Sequence, residues 1–237
     1  MQLETTLFNK RTFVPIFVIV LLTITSCKSG IFFGKDHGKI VFEISYPYDN
    51  GDIKTILYPS EMEVIFDETY ERTHMATAFS AVENDYIINH DSKSFVQILN
   101  YLGTSYELDI DANNHPAWLA QFPTMTIEQT TETATLAGYE CKKALAHFPN
   151  DSLPVVELFY TDDIEVGEGN WWNIYHDIDG VLLGYDLVQY GKRMRFRAKK
   201  VEFKEMESAE FNFDKGEKTV DVPGMKAILD EIAKTYL

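Results

Sequence analysis

Alternation with a period of two constrains this chain more than any other pattern in it. Ile40, Phe42 and Ile44 alternate with more variable neighbours, as do Met62, Val64 and Phe66, and later Tyr106, Leu108 and Ile110. A strand that buries one face and wets the other reads this way. Further strands are expected over Asp85–Asn89, Ser94–Tyr101, Thr133–Phe148, Val155–Thr161, Trp171–His176 and Gly180–Tyr190. In the run from Met194 to Phe203 the apolar phase shifts from Met194, Phe196 and Ala198 to Val201 and Phe203, which predicts a β-bulge near Lys199-Lys200. Turn signals at Asp49-Asn50-Gly51, Asp151-Ser152-Leu153-Pro154, Gly167-Glu168-Gly169-Asn170 and Asp179-Gly180 separate these segments. The expected fold class is mainly β (α+β): one large, curved antiparallel sheet or incomplete barrel.

Helix is scarce. A short one is expected around Pro116 to Phe122. A stronger one at the C-terminus starts at Asp221 and Pro223 and carries Met225, Ile228, Leu229, Ile232 and Tyr236 on one side. That amphipathic helix is expected to pack on the open mouth of the sheet; a partner-binding helix is the alternative.

The N-terminus carries an address. Lys10-Arg11, an apolar run from Phe13 to Ile24 and Ile24-Thr25-Ser26-Cys27 make up a secretory signal with a cysteine at the cut. Residues 1–26 read as a lipoprotein signal peptide and Cys27 as the lipidated residue. Residues 27–37 read as a tether and 38–237 as a single domain. A transmembrane anchor fits less well, because the run is short and Pro15 interrupts it. With Cys27 lipidated, Cys141 has no disulfide partner within the chain. Its phase with Tyr139 and Leu145 places it on a buried face; the competing idea is a thiol activated by Lys142 and Lys143.

Charge and motifs then narrow the function. The formal net charge of −16 argues against nucleic acid, which concentrated positive charge recognises. The one basic cluster, Lys192 to Lys200, alternates with Met194, Phe196 and Ala198 and reads as the solvated face of a strand. Asp109-Ile110-Asp111-Ala112-Asn113 opens like a calcium loop. However, Asn114 stands where the loop needs glycine and Ala120 where it needs glutamate. The histidines are scattered singly, without zinc spacing, and no nucleophile elbow is present. Neither a metal, a cofactor nor a catalytic residue is assigned. Aromatic residues are abundant, with 3 Trp, 13 Tyr and 16 Phe. Trp118, Phe122, Trp171, Trp172 and Tyr185 are the candidate lining of an apolar groove on the concave face; a filled core is the alternative.

The blocks Gly38–Ile44, Leu57–Met62, Leu136–Ala144, Val155–Asp162 and Asp179–Tyr185 resemble, in order, those of an envelope lipoprotein family of Bacteroidota. Ala137-Gly138-Tyr139-x-Cys141-Lys142 is the most specific of them, and the resemblance covers most of residues 38 to 213. That family is distantly similar to the LolA/LolB lipoprotein carriers, whose incomplete antiparallel barrel holds acyl chains. The resemblance implies a LolA-like half-barrel and offers no catalytic residues to carry over. Val222 to Leu237 extends past the family's usual ending. The expectation is a non-enzymatic, lipid-anchored envelope protein, outer-membrane and periplasm-facing. It would bind a lipid, an acyl chain or a lipidated partner, and its membrane contact would run through lipid at Cys27. Lys28-Ser29-Gly30 lacks the acidic run associated with surface export in that phylum. The rival is an interaction module of an envelope complex with a filled core and no ligand; a hydrolase ranks third.

Overall fold

Twelve strands form one open, curved sheet in the computed structural model, which describes residues 35–47, 58–149, 153–189 and 192–236. Cys27, the signal segment, most of the tether and the Asp49-Asn50-Gly51 turn lie outside the described residues, which belong to one compact unit within Phe33–Leu237. The strands are β1 (Gly38–Ser45), β2 (Glu61–Phe66), β3 (Tyr70–Ala76), β4 (Val82–Asn89), β5 (Ser94–Tyr101) and β6 (Thr104–Ile110). After helix α1 (His115–Leu119) come β7 (Thr126–Leu136), β8 (Tyr139–His147), β9 (Val156–Thr161), β10 (Val181–Gln189) and β11 (Lys192–Phe203). The chain ends in β12 (Lys218–Thr219) and helix α2 (Val222–Tyr236).

The topology is two antiparallel meanders, β1 to β6 and β7 to β11, sewn together where β11 pairs with β1. Among the described strands only β12 is parallel, on the outer side of β6, so β12 and β7 stand at the two edges. Short turns keep the meanders tight. Leu102-Gly103 and Ala137-Gly138 both have positive φ at each residue, the backbone that two-residue hairpins of matching twist require. The expected bulge is present: Val41 faces Lys200 while Phe42 faces Ala198, leaving Lys199 as the extra residue. Two more irregularities, at Leu183 in β10 and over Thr130–Glu132 in β7, bend the same half of the sheet.

Some expectations need correction. Thr133–Phe148 is a hairpin, β7 and β8, folded at Ala137-Gly138. Trp171–His176 forms turns within the β9–β10 connection instead of a strand. Cys141 is fully buried, but the buried phase of β8 then switches to Ala144 and Ala146, leaving Leu145 half-buried. The switch lies opposite the irregular stretch of β7. The basic face of β11 is also less solvated than expected. Asp186, with 1% of its side chain exposed, accepts from Arg193 Nε at 3.0 Å and Arg195 Nε at 2.9 Å, with Arg197 Nη1 at 3.8 Å.

The core falls into three clusters. Ile40, Phe42, Met62, Val64, Met194 and Phe196 pack at the centre of the sheet, while Ala144, Leu158, Tyr160 and Tyr175 pack near β8 and β9. The third cluster joins Ile88, Phe95, Leu99, Leu108 and Trp118 to Val222, Met225 and Ile232 of α2. The helix starts as its sequence dictates: Asp221 Oδ1 accepts from Gly224 N at 2.9 Å, and Pro223 needs no donor in the first turn. Its apolar side lies against β4 to β6, and Tyr101 Oη meets Thr235 Oγ1 at 3.3 Å.

Candidate functional site

The concave side of the sheet is left incompletely filled. Ile40 and Phe42 of β1, Met62 and Val64 of β2, Met75 of β3, Tyr86 of β4, Tyr185 and Leu187 of β10 and Phe196 of β11 form the floor of a cavity of about 140 Å³. An engineered apolar cavity of roughly 150 Å³ accepts a benzene ring, so this volume can hold part of an apolar ligand. Alternation puts these residues on one face, and the bend of the sheet turns that face inward.

Two segments roof it. Trp118 of α1 and Phe122 just after it come from one side, and Val166 to Tyr175 of the β9–β10 connection from the other. Glycines and asparagines give that connection its path. Asn170 Nδ2 donates to the carbonyls of Ile178 and Gly180, both at 2.9 Å, and Tyr175 N donates to Asn173 Oδ1 at 2.8 Å. The Tyr175 hydroxyl donates to the Asp186 carbonyl, tying the roof to β10. Trp172 lies 5.7 Å from the Tyr86 ring and 5.9 Å from Phe95, and Trp118 lies 5.0 Å from Phe95. The two Phe95 pairs are edge-to-face and the Tyr86–Trp172 pair is tilted, arrangements that aromatic rings favour over a face-to-face sandwich.

The roof is pinned to the sheet at His90, which is 2% exposed. Trp171 Nε1 donates to His90 Nδ1 at 3.0 Å. An indole nitrogen can only donate, so Nδ1 is the acceptor and the imidazole proton sits on Nε2. That atom faces Glu71 Oε2 at 3.6 Å, longer than a hydrogen bond. Gly167 passes so close to this ring that a Cβ would sit 2.2 Å from His90 Cγ.

A polar strip crosses the apolar floor. Glu71, Thr73 and Asn84 line the cavity, each buried, and Gln97 Nε2 donates to Asn84 Oδ1 at 3.0 Å. Asn84 Nδ2 is buried and has no hydrogen-bond partner among the described residues. Burial, reinforced by the nearby Glu71 carboxylate, pushes the Tyr185 phenol up, and burial does the same to Tyr175. Both therefore stay neutral.

Of the residues singled out from the sequence, Trp118, Phe122, Trp172 and Tyr185 line the cavity together. Trp171 does not; it stands behind the roof, bonded to His90 with Lys93 Nζ 5.2 Å from its ring centroid. Helix α2 packs on the sheet as expected, but against β4 to β6, and none of its described residues lines the cavity it was expected to cover. Val222, Met225 and Ile232 of the helix share a buried cluster with Trp118. Cys141 shares the central core cluster with Ile40, Phe42 and Phe196 but does not line the cavity; burial pushes its thiol up, and Sγ donates to the Tyr139 carbonyl at 3.6 Å. Asp111 closes the turn after β6 on itself, accepting from Asn113 N at 2.8 Å and Asn114 N at 3.2 Å. Asp36, His37 and Glu68 bring three potential ligand atoms within 4.8 Å, but Asp36 is engaged by His37 at 2.9 Å.

The architecture recurs in solved structures. Two crystal forms of PNGF-II match with TM-scores of 0.51 and 0.52 at 17% identity, over 83% and 84% of this chain. The chain spans about a third of that protein's length, 34% and 33%. Pseudomonas aeruginosa MucB, in complex with MucA, matches at a TM-score of 0.33 and 11% identity over 75% of this chain and 56% of its own. MucB alone matches at 0.33 and 12%, over 76% and 58%. No protein-family model matches the sequence, and no curated protein does either.

Proposed function

We propose that this chain is a lipid-anchored envelope protein that binds, without catalysing a reaction, an apolar ligand under the roof of its half-barrel. The ligand class is a lipid or acyl chain, free or carried by a lipidated partner. One observation carries the reading: the concave face leaves about 140 Å³ between an aliphatic and aromatic floor and an aromatic roof. Burying apolar surface there is worth about 25 cal/mol per Å². A cavity of this kind speaks against the rival of a filled core.

Attachment through Cys27, in the outer membrane and facing the periplasm, belongs to the same proposal. It draws on Lys10-Arg11, the apolar run and Ile24-Thr25-Ser26-Cys27. A stable hold takes two or more acyl chains. Cys27→Ser is expected to move the chain from the membrane to the soluble fraction; unchanged membrane fractionation refutes the anchor.

Native mass spectrometry of the full chain tests the binding. Co-purifying lipid, or uptake of a neutral naphthylamine dye with enhanced emission, is the expected result. A clean apo mass together with no dye uptake refutes the carrier reading.

A further inference from the structure

Polar atoms in the cavity specify more about the ligand than its apolar walls do. Building on the reading of a bound apolar ligand, we propose that the ligand presents a neutral carbonyl, as an acyl ester or amide, to Asn84 Nδ2, and that free fatty acids are excluded.

The first premise is an unmet donor. Asn84 is 1% exposed, its Oδ1 is taken by Gln97 at 3.0 Å, and its Nδ2 is buried with no partner among the described residues. Gln97 is itself 1% exposed, so the pair is held rigidly between β4 and β5. A buried N–H without an acceptor is costly, and native structures rarely leave one without a reason. A ligand atom with a free lone pair resolves it.

The second premise is charge. Among the described residues lining the cavity there is no Lys, Arg or His, and Glu71 is the one charged side chain. A fatty-acid carboxylate would offer Asn84 an acceptor but would enter a buried site beside another carboxylate with no cation to offset it. An alkylammonium would suit Glu71 and the aromatic roof, yet it brings no lone pair to Asn84. The Glu71 carboxylate also already faces His90 Nε2 at 3.6 Å. A neutral carbonyl satisfies Asn84 and adds no charge. Thr73, also buried and lining the cavity, offers a hydroxyl on the neighbouring strand for the second lone pair or an ester oxygen.

Displacement of the neutral naphthylamine dye from the full chain tests this, at about pH 8, where laurate is ionised. Methyl laurate is expected to displace the dye at a concentration at least about tenfold below that of laurate or dodecyltrimethylammonium. Glu71→Gln should bring laurate to within about threefold of the ester, and Asn84→Leu should remove the advantage of the ester over dodecane. Laurate or the ammonium displacing the wild-type dye as well as the ester overturns the inference while leaving the carrier reading standing. A dye that never binds, together with a clean apo mass, overturns both. The wild-type comparison decides the matter even if a variant fails to fold.

Discussion

Gly167 and Gly169 flank Glu168 in the roof, both with positive φ, at +44° and +76°, and only one of them touches the sheet. A Cβ on Gly169 meets nothing within 4 Å, whereas one on Gly167 lies 2.2 Å from His90 Cγ and 2.3 Å from Cδ2. Alanine at either site carries the same left-handed backbone cost, about 1 kcal/mol. Gly167→Ala adds a clash that only movement can relieve. Ordinary carbon contacts begin near 3.5 Å, so ring and backbone must part by about 1 Å. The ring cannot swing aside freely, because Trp171 Nε1 holds it at 3.0 Å. Losing that bond costs about 1 kcal/mol and repacking the buried ring about 1 more. Gly167→Ala is thus expected to cost about 3 kcal/mol against about 1 for Gly169→Ala. At about 2–4 °C per kcal/mol for a domain of this size, the melting temperatures should fall by about 6–12 °C and about 2–4 °C. Thermal melts followed by circular dichroism measure this, with tryptophan emission reporting Trp171. Equal melting temperatures for the two variants, with wild-type emission in Gly167→Ala, would refute the pinning of the roof at His90.

Asp186→Asn should destabilise the protein by about 3 kcal/mol, since it leaves Arg193, with 10% of its side chain exposed, and Arg197, with 27%, without their buried counter-charge. A denaturant midpoint within error of wild type would show the cluster to be inert. Cys141, buried and with its thiol pushed up by that burial, is expected to react with a maleimide at least about 100-fold more slowly in the native protein than in denaturant; comparable rates would sink the assignment. The hydrogen bond to Asp85 raises the His74 pKa. Its contribution to stability is therefore complete below the unfolded value of about 6.5 and is lost as pH rises through the higher folded value. His74→Gln should flatten that segment of the stability–pH curve, and an unchanged curve contradicts the linkage. Ile228→Asp with Ile232→Asp should strip α2 from β4 to β6, Ile232 being 1% exposed; the unfolding midpoint should drop by an amount equivalent to at least about 3 kcal/mol. An unaltered midpoint would mean that the helix does not stabilise the domain.

Strands whose inward residues are apolar, such as β1, β2, β6 and β11, were legible in the sequence because solvent and core alternate along them. β3 was not. Its inward residues are Glu71, Thr73 and Met75, two of them polar, so the alternation is masked until pairing with β2 and β4 sets the phase. The same masking hid the polar strip: Asn84 reads as an outward residue until its cross-strand partners Met75 and Leu99 are known. Aromatic density did point to the roof, and Trp118, Phe122, Trp172 and Tyr185 do converge on the cavity. Aromatic content also made Trp171–His176 look like a strand. There the side-chain amides of Asn170 and Asn173 compete for backbone groups and turn the chain.

A half-barrel that stays open must expose two strand edges, and an exposed edge is a template on which further chains can add. One edge is β12, two residues long, too short to nucleate pairing. The other is β7, with eleven residues. Three of those, Thr130 to Glu132, stand opposite the single residue Lys143, so the backbone of this edge is not a regular ladder. It also bears Glu128 and Glu132, whose side chains are 63% and 66% exposed. A second copy laid against it would meet a kinked backbone and like charges, two of the devices by which natural sheets resist polymerisation. The openness that leaves a cavity at the centre is thus compatible with a protein that does not grow into fibrils at its border.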